Sequence, residues 1–144
     1  MIILGDGTKT MGTNFAYLLR VAELGGAVQQ LKDVTWKVVE NALENLKFSS
    51  SGGFLELSDK DDTTTMIVFV ESGKFHIGII IDEEVYFYYW NGIKPVEDRV
   101  VPLAGNFFKE HQICHDFYLA KKIIKYFYET GRPLESVLWE KEVV

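Results

Sequence analysis

Three side chains in the C-terminal third, His111, Cys114 and His115, are of types that bind metals or serve as nucleophile and base. Their spacing would put ligands on one helical face. They precede the helix-capping residue Asp116, however, and a structural zinc site takes four ligands where this segment offers three. A Cys–His nucleophilic pair needs the base beside the thiol and a third group to orient it, whereas adjacent residues in an extended segment point apart. The plainer reading is a buried cysteine next to a surface histidine. Gly5-Asp6-Gly7-Thr8-Lys9-Thr10 has the composition of a phosphate loop but lacks the four-residue spacer and the glycine directly before the lysine, so it reads as an ordinary loop. A single cysteine cannot supply the Pro-Cys-x-x-Cys half of a zinc deaminase site. No catalytic residue, metal or cofactor is expected.

Carboxylates are the abundant chemistry. Nothing in the sequence places two of them in one cleft, as a glycosidase requires. Their expected role is collective. Asp59, Asp61 and Asp62 share one loop and Asp82, Glu83 and Glu84 share one turn. If the strands between them reverse direction, all six emerge at one end of a sheet. An acidic rim attracts a basic partner over a distance, and Tyr86, Tyr88 and Trp90 beside it are the types that anchor interfaces. These nine residues form the candidate partner-binding set. The alternative is a solvated loop end above an internally covered second core.

The elements that must position these residues follow from periodicity. Asn14 caps an expected helix carrying Phe15, Leu18, Leu19 and Ala22, ended by Gly25-Gly26, after a short strand at Ile2–Leu4. A second helix is capped by Asp33 or Thr35 and buries Trp36, Val39, Leu43 and Leu46 at three- and four-residue spacing. Beyond Ser49–Gly53 the period becomes two, giving strands at Phe54–Ser58, Thr64–Glu71, Lys74–Ile81 and Val85–Trp90. The two-residue turn Ser72-Gly73 sets Val70 against Phe75, Val68 against Ile77 and Met66 against Ile79, all apolar, on the core face. A three-residue loop at 82–84 puts Val85, Phe87 and Tyr89 on that face; a two-residue loop reverses the choice. On the first reading Ile67, Phe69, His76, Ile80, Tyr86, Tyr88 and Trp90 crowd the other face, too large a set for a solvated surface, so helices or a partner must cover it. A strand near Arg99–Val101 leads to a helix at Phe117–Glu129, capped by Asp116, stopped by Gly131 and Pro133 and buried along Ala120, Ile123, Ile124 and Phe127. A last strand holds Val137-Leu138-Trp139. The expected fold is α+β, an antiparallel meander of about five or six strands with two or three helices.

At 144 residues, with 47% hydrophobic and 25% charged side chains, the chain reads as one domain over 1–144 with an ample core. A net charge of −6 argues against nucleic acid, whose phosphates need a basic face, and favours a basic protein as partner. The start Met1–Asp6 has no export signature and the longest apolar run is far short of the roughly 20 residues that span a bilayer. With one cysteine and no disulfide, a cytoplasmic location is expected, away from membranes, as monomer or homodimer.

One resemblance adds to this. The stretch Cys114-His115-Asp116-Phe117, then Ile124-Lys125-Tyr126-Phe127-Tyr128-Glu129-Thr130-Gly131-Arg132-Pro133 and Val137-Leu138-Trp139-Glu140, resembles the closing segment of bacterial polymorphic-toxin immunity proteins. Trp36, Ala42-Leu43, Leu46 and Gly53-Phe54-Leu55-Glu56-Leu57 look like the start of the same small α+β domain. The resemblance implies an inhibitor without catalysis that binds and blocks a cognate toxin domain, a nuclease or a deaminase. It implies fold roles for Thr130, Gly131, Pro133 and Trp139, and it does not extend to the first thirty or so residues. Two further readings stand beside it: a small-molecule-binding or hydrolytic domain using His76, His115 and nearby carboxylates, and a self-associating structural subunit.

Overall fold

The computed structural model describes residues 14–143. The strand expected at Ile2–Leu4 and the loop at Gly5–Gly12 lie outside the described residues. The helix expected after Asn14 is instead a strand. β1 (Leu18–Glu23) pairs with β2 (Gln29–Lys32), Leu19 standing opposite Leu31, and the intervening turn contains Gly25 at φ 81°. The physical reason is that β1 lies inside the sheet with both faces covered. Leu19 points to one buried side and Leu18 and Ala22 to the other, so the apolar residues mimic helical spacing.

The next helix, α1 (Trp36–Lys47), is capped by Thr35, whose Oγ1 accepts from the Val38 N–H at 3.4 Å, and it buries Val39, Leu43 and Leu46 as expected. The meander follows: β3 (Gly53–Ser58), β4 (Thr65–Glu71), β5 (Lys74–Ile81) and β6 (Val85–Trp90). Its register sets Val70 against Phe75, Val68 against Ile77 and Met66 against Ile79, as the Ser72-Gly73 turn dictates. Ile81 pairs with Val85, so the acidic turn has three residues and Phe87 and Tyr89 join the core side.

The chain then makes a long excursion. β7 (Val100–Leu103) and β8 (Asn106–Lys109) form a separate hairpin, a 3-10 turn spans Glu110–Gln112, and the two-residue β9 (Ile113–Cys114) pairs with the start of β5. α2 (Phe117–Thr130) starts at Asp116, whose carboxylate accepts from the Tyr118 and Leu119 N–H groups. It ends at Gly131, which has φ 73° and donates its N–H to the Phe127 carbonyl at 2.8 Å. β10 (Leu138–Val143) closes the chain along the outer edge of β6.

The main sheet is antiparallel and eight-stranded, in the order β10-β6-β5-β4-β3-β1-β2 with β9 beside β5. That exceeds the expected five or six strands, because the segment read as the first helix is β1, the strand at Gln29–Lys32 had no expected element, and the excursion contributes β9. Among the described residues there are two α-helices. Both cover one face, where Ala120, Ile123, Ile124 and Phe127 of α2 join the α1 stripe over Leu55, Leu57, Met66, Val68, Val70, Phe75, Ile77 and Ile79. Each such side chain contributes about 1.5–3 kcal/mol by leaving water, so this layer sets the fold. Lys121 of α2 reaches Glu40 and Glu44 of α1, each at 3.3 Å. No helix among the described residues is long and apolar enough to cross a membrane.

Candidate functional site

Because successive strands reverse, the β3–β4 loop and the β5–β6 turn leave the sheet at the same end. They also touch: the Asp82 N–H donates to Thr64 Oγ1 at 3.1 Å. The six acidic residues proposed from sequence divide there by task. Asp59 is turned inward and accepts from the Thr63 N–H at 2.8 Å, the Thr63 hydroxyl at 2.9 Å and the Thr64 N–H at 3.2 Å, closing its loop. Asp62 takes both ends of the Arg20 guanidinium, at 3.2 and 2.9 Å. That pairing is the main reason the Asp62 carboxyl is held below the usual carboxylate range. Arg20 also donates to Glu56 at 3.3 Å and Gln30 at 2.9 Å. Asp61, Asp82, Glu83 and Glu84 are exposed, and Asp82 and Glu83 have φ of 51° and 61°, in the left-handed region.

The sheet face away from the helices carries the aromatic set. Register lines its side chains in rows across the strands. One row runs Glu142, Tyr86, Ile80, Thr65, Ser58; the next runs Glu140, Tyr88, Gly78, Ile67, Glu56, Arg20; a third brings Leu138 and Trp90 to the level of His76, Phe69 and Phe54. Tyr86, Tyr88 and Trp90 therefore stand in file along β6, half-buried, as the three-residue turn requires. Tyr86 and Tyr88 meet edge-on at 6.3 Å, and the Trp90 indole N–H donates to the Ile93 carbonyl at 2.8 Å.

What covers this face is partly the protein's own β7–β8 hairpin. Leu103, Ala104 and Ile113 form a second small core with Phe69, Val101 and Phe108. Glu71 Oε1 accepts from the Ala104 N–H, pinning the hairpin tip. Beyond the hairpin the face opens as a cleft of about 170 Å³ between Tyr88, Gly78, Ile67, Ile80 and Phe108.

Beneath the excursion lies a polar chain that sequence reasoning missed. His76 is buried and stacks on Phe108 with ring centroids 4.0 Å apart. Its Nε2 lies 2.9 Å from Gln112 Oε1, the Gln112 amide donates to Glu140 Oε1 at 2.7 Å, and His111 Nε2 meets the same oxygen at 2.8 Å. Only one assignment satisfies every contact: His76 Nε2–H donates to Gln112, while Gln112 and His111 donate to the carboxylate. Burial pushes the His76 ring below its ordinary pKa, against a smaller opposing effect of Gln112, so it stays neutral. Burial also acts to raise the Glu140 carboxyl, but the bonds from Gln112 and His111 outweigh it and hold it low. Asn91 fastens the 3-10 turn from the other side, donating to the Glu110 and Ile113 carbonyls at 3.2 and 3.1 Å. The contacts span 28 to 36 residues of sequence, which leaves no local pattern to read.

His111, Cys114 and His115 are not brought together. His111 is bound to Glu140 and His115 is exposed. Cys114 points among the core residues, its thiol pushed up chiefly by burial, the opposite of an activated nucleophile. Among the described residues no three His, Cys, Asp or Glu side chains are grouped to hold a metal. His76 lines the cleft but His115 does not. A wider groove of about 740 Å³ runs between α1 and β2, lined by Leu31, Val38, Asn41 and Asn45, with Glu23 its one ionisable side chain. Such a lining suits binding better than acid–base chemistry. Thr130, Gly131 and Trp139 have structural employment: the Thr130 hydroxyl bonds to the Tyr126 carbonyl, Gly131 stops α2, and the Trp139 indole donates to the Leu134 carbonyl at 2.9 Å.

Fold and surface together define a small α+β protein whose main sheet is helix-covered on one face and partly open, aromatic and acid-edged on the other. By sequence the chain belongs to the family of unknown function DUF6911, which matches residues 16–135. Among solved structures it is similar in fold to a hypothetical protein from Neisseria gonorrhoeae, with a TM-score of 0.57 at 13% identity, over 90% of this chain and 99% of that one. No curated protein matches it.

Proposed function

We propose that this protein is a cytoplasmic immunity protein, a stoichiometric inhibitor that binds and neutralises a cognate toxin domain, a nuclease or deaminase with a basic active-site surface. The observation that carries the reading is the junction of two features. The exposed carboxylates of Asp61, Glu83 and Glu84 stand at the end of the sheet where the half-buried Tyr86 and Tyr88 begin. Charge of one sign beside aromatic anchors is what guides and then holds a cationic protein surface. The resemblance of the C-terminal helix, Thr130-Gly131-Arg132-Pro133 and Val137-Leu138-Trp139 to immunity proteins points the same way. Binding and blocking require no catalytic group in this chain.

The test is a titration against the purified C-terminal domain of a large secreted protein encoded beside this one, following complex formation and the domain's toxic activity. One-to-one binding with loss of activity is expected. Replacing Asp61, Glu83 and Glu84 together by serine is expected to slow association roughly tenfold at low ionic strength and to flatten its salt dependence. Unchanged rates and an unchanged salt slope would remove the acidic rim from the mechanism.

A further inference from the structure

Between Tyr88 and Ile67 the open sheet face has a gap, because Gly78, which stands between them in register, contributes no side chain. The backbone does not demand glycine there: Gly78 is not among the residues with positive φ, and an added Cβ would meet nothing nearer than ring carbons of Tyr88, at 3.4 Å. Glycine inside a strand often marks a place where another group comes close to the backbone. The cleft above it holds about 170 Å³. An apolar cavity of ~150 Å³ is enough to take up a molecule of benzene. The walls are the Tyr88 and Phe108 rings, Ile67, Ile80 and the His76 imidazole, and no acidic side chain, lysine or arginine is among them.

His76 sets the polar demand of this cleft. The residue is 5% exposed, and its Nε2–H is used on Gln112 Oε1 at 2.9 Å, so its Nδ1 carries a lone pair. Nδ1 makes no hydrogen bond among the described residues, and unlike Nδ1 of His111 it is not sealed from solvent. The little surface that the ring keeps opens into the cleft it lines. A buried acceptor without a donor, in a pocket otherwise apolar, specifies a neutral ligand that brings one donor. A charged ligand would lose its hydration and find no opposite charge in the walls. Aromatic walls favour a flat ring over a saturated one, and the volume admits a single ring.

We infer that this cleft is a binding site for a phenol, its ring over Gly78 beside Tyr88 and its hydroxyl donating to His76 Nδ1. The site does not rest on the immunity reading, so the toxin titration and the test of the cleft fail or succeed separately. The full chain is titrated at neutral pH with phenol and with toluene, which has the same shape and no donor. NMR follows the methyl groups of Ile67 and Ile80 and the ring nitrogens of His76. Phenol is expected to give saturable methyl shifts with a Kd on the order of millimolar and to move the His76 Nδ1 resonance. Toluene is expected to bind several-fold more weakly and to leave that resonance in place. His76→Phe keeps a ring against Phe108 and removes the acceptor, so toluene is expected to become the tighter ligand. Gly78→Leu fills the cleft and is expected to abolish the methyl shifts. Toluene bound as tightly as phenol by the parent chain, an Nδ1 resonance that phenol leaves unmoved, phenol still preferred by His76→Phe, methyl shifts that survive Gly78→Leu, or no saturable shift at all would overturn the inference. Should either variant not fold, the Nδ1 resonance of the parent chain decides alone. Nα-acetyltyrosine amide separates the two sources of such a ring: weaker binding than phenol assigns the cleft to a free molecule, and binding as tight or tighter assigns it to a tyrosine side chain of a bound protein.

Discussion

Glu83 occupies a backbone position that its residue type resists. With φ 61° it sits in the left-handed region beside Asp82 at 51°, in a turn closed by the Glu84 N–H donating to the Ile81 carbonyl at 3.0 Å. A side chain with a Cβ costs roughly 1–2 kcal/mol there, and asparagine escapes part of that because its short amide bonds locally. Glu83→Asn is therefore expected to stabilise the fold by about 0.5–1 kcal/mol. Glu83→Val, with a β-branched side chain in the same conformation, is expected to destabilise it by about 1–2 kcal/mol. Glu83→Gln removes the charge without relieving the backbone and is expected to stay within about 0.5 kcal/mol of the parent. Urea unfolding followed by the fluorescence of Trp36, Trp90 and Trp139 measures all three. With a slope of about 1–3 kcal/mol per molar urea, a change of ~1 kcal/mol moves the midpoint by roughly 0.3–1 M. An asparagine variant no more stable than the glutamine variant, or a valine variant as stable as the parent, would refute the strain argument. The asparagine variant also loses a rim charge, so the more stable protein is expected to be the slower binder, a trade between stability and function.

Two other perturbations test the interior. Gly131→Ala places a Cβ 2.6 Å from the Phe15 ring at φ 73°, and the sum of a left-handed penalty and overpacking, about 2–4 kcal/mol, is expected as a loss in urea unfolding. His76 carries a depressed pKa, so the unfolded chain takes up a proton that the folded chain refuses; stability is full above the ordinary value of 6.5 and declines as pH falls from there toward the folded value. His76→Phe, keeping a ring against Phe108, is expected to flatten that decline in urea midpoints measured between pH 7 and 5.

The meander was legible because three local signals agreed. Alternating side chains, the Ser72-Gly73 turn with both residues at positive φ, and an acidic turn of three residues all require one register. Asp116 and Gly131 marked α2 just as plainly. β1 was illegible because Leu18, Leu19 and Ala22 are all buried, and a strand covered on both faces loses its alternation. β10 was read only at its start, since Glu140-Lys141-Glu142 is polar at an edge where burial is slight. Of the nine candidate site residues, sequence grouped the two acidic loops and the file of Tyr86, Tyr88 and Trp90 correctly. It could not foresee that Asp59 and Asp62 are spent on Thr63, Thr64 and Arg20, because those partners are chosen by loop closure and by a neighbouring strand.

The edge position of β10 has a consequence for how the protein is made. Among the described residues β10 pairs with β6 alone, yet residues 91–137 separate the two in the chain. At about 5–20 residues per second, the ribosome delivers β10 roughly 2–10 s after β6. Throughout that interval the outer edge of β6 lacks its ladder, the Tyr89 ring lacks the edge-on cover of Trp139, and the Gln112 amide lacks Glu140. An unpaired, tyrosine-rich edge invites pairing with another nascent chain. The time of greatest aggregation risk therefore falls between the making of β6 and that of β10, after the meander has already closed through its own short turns.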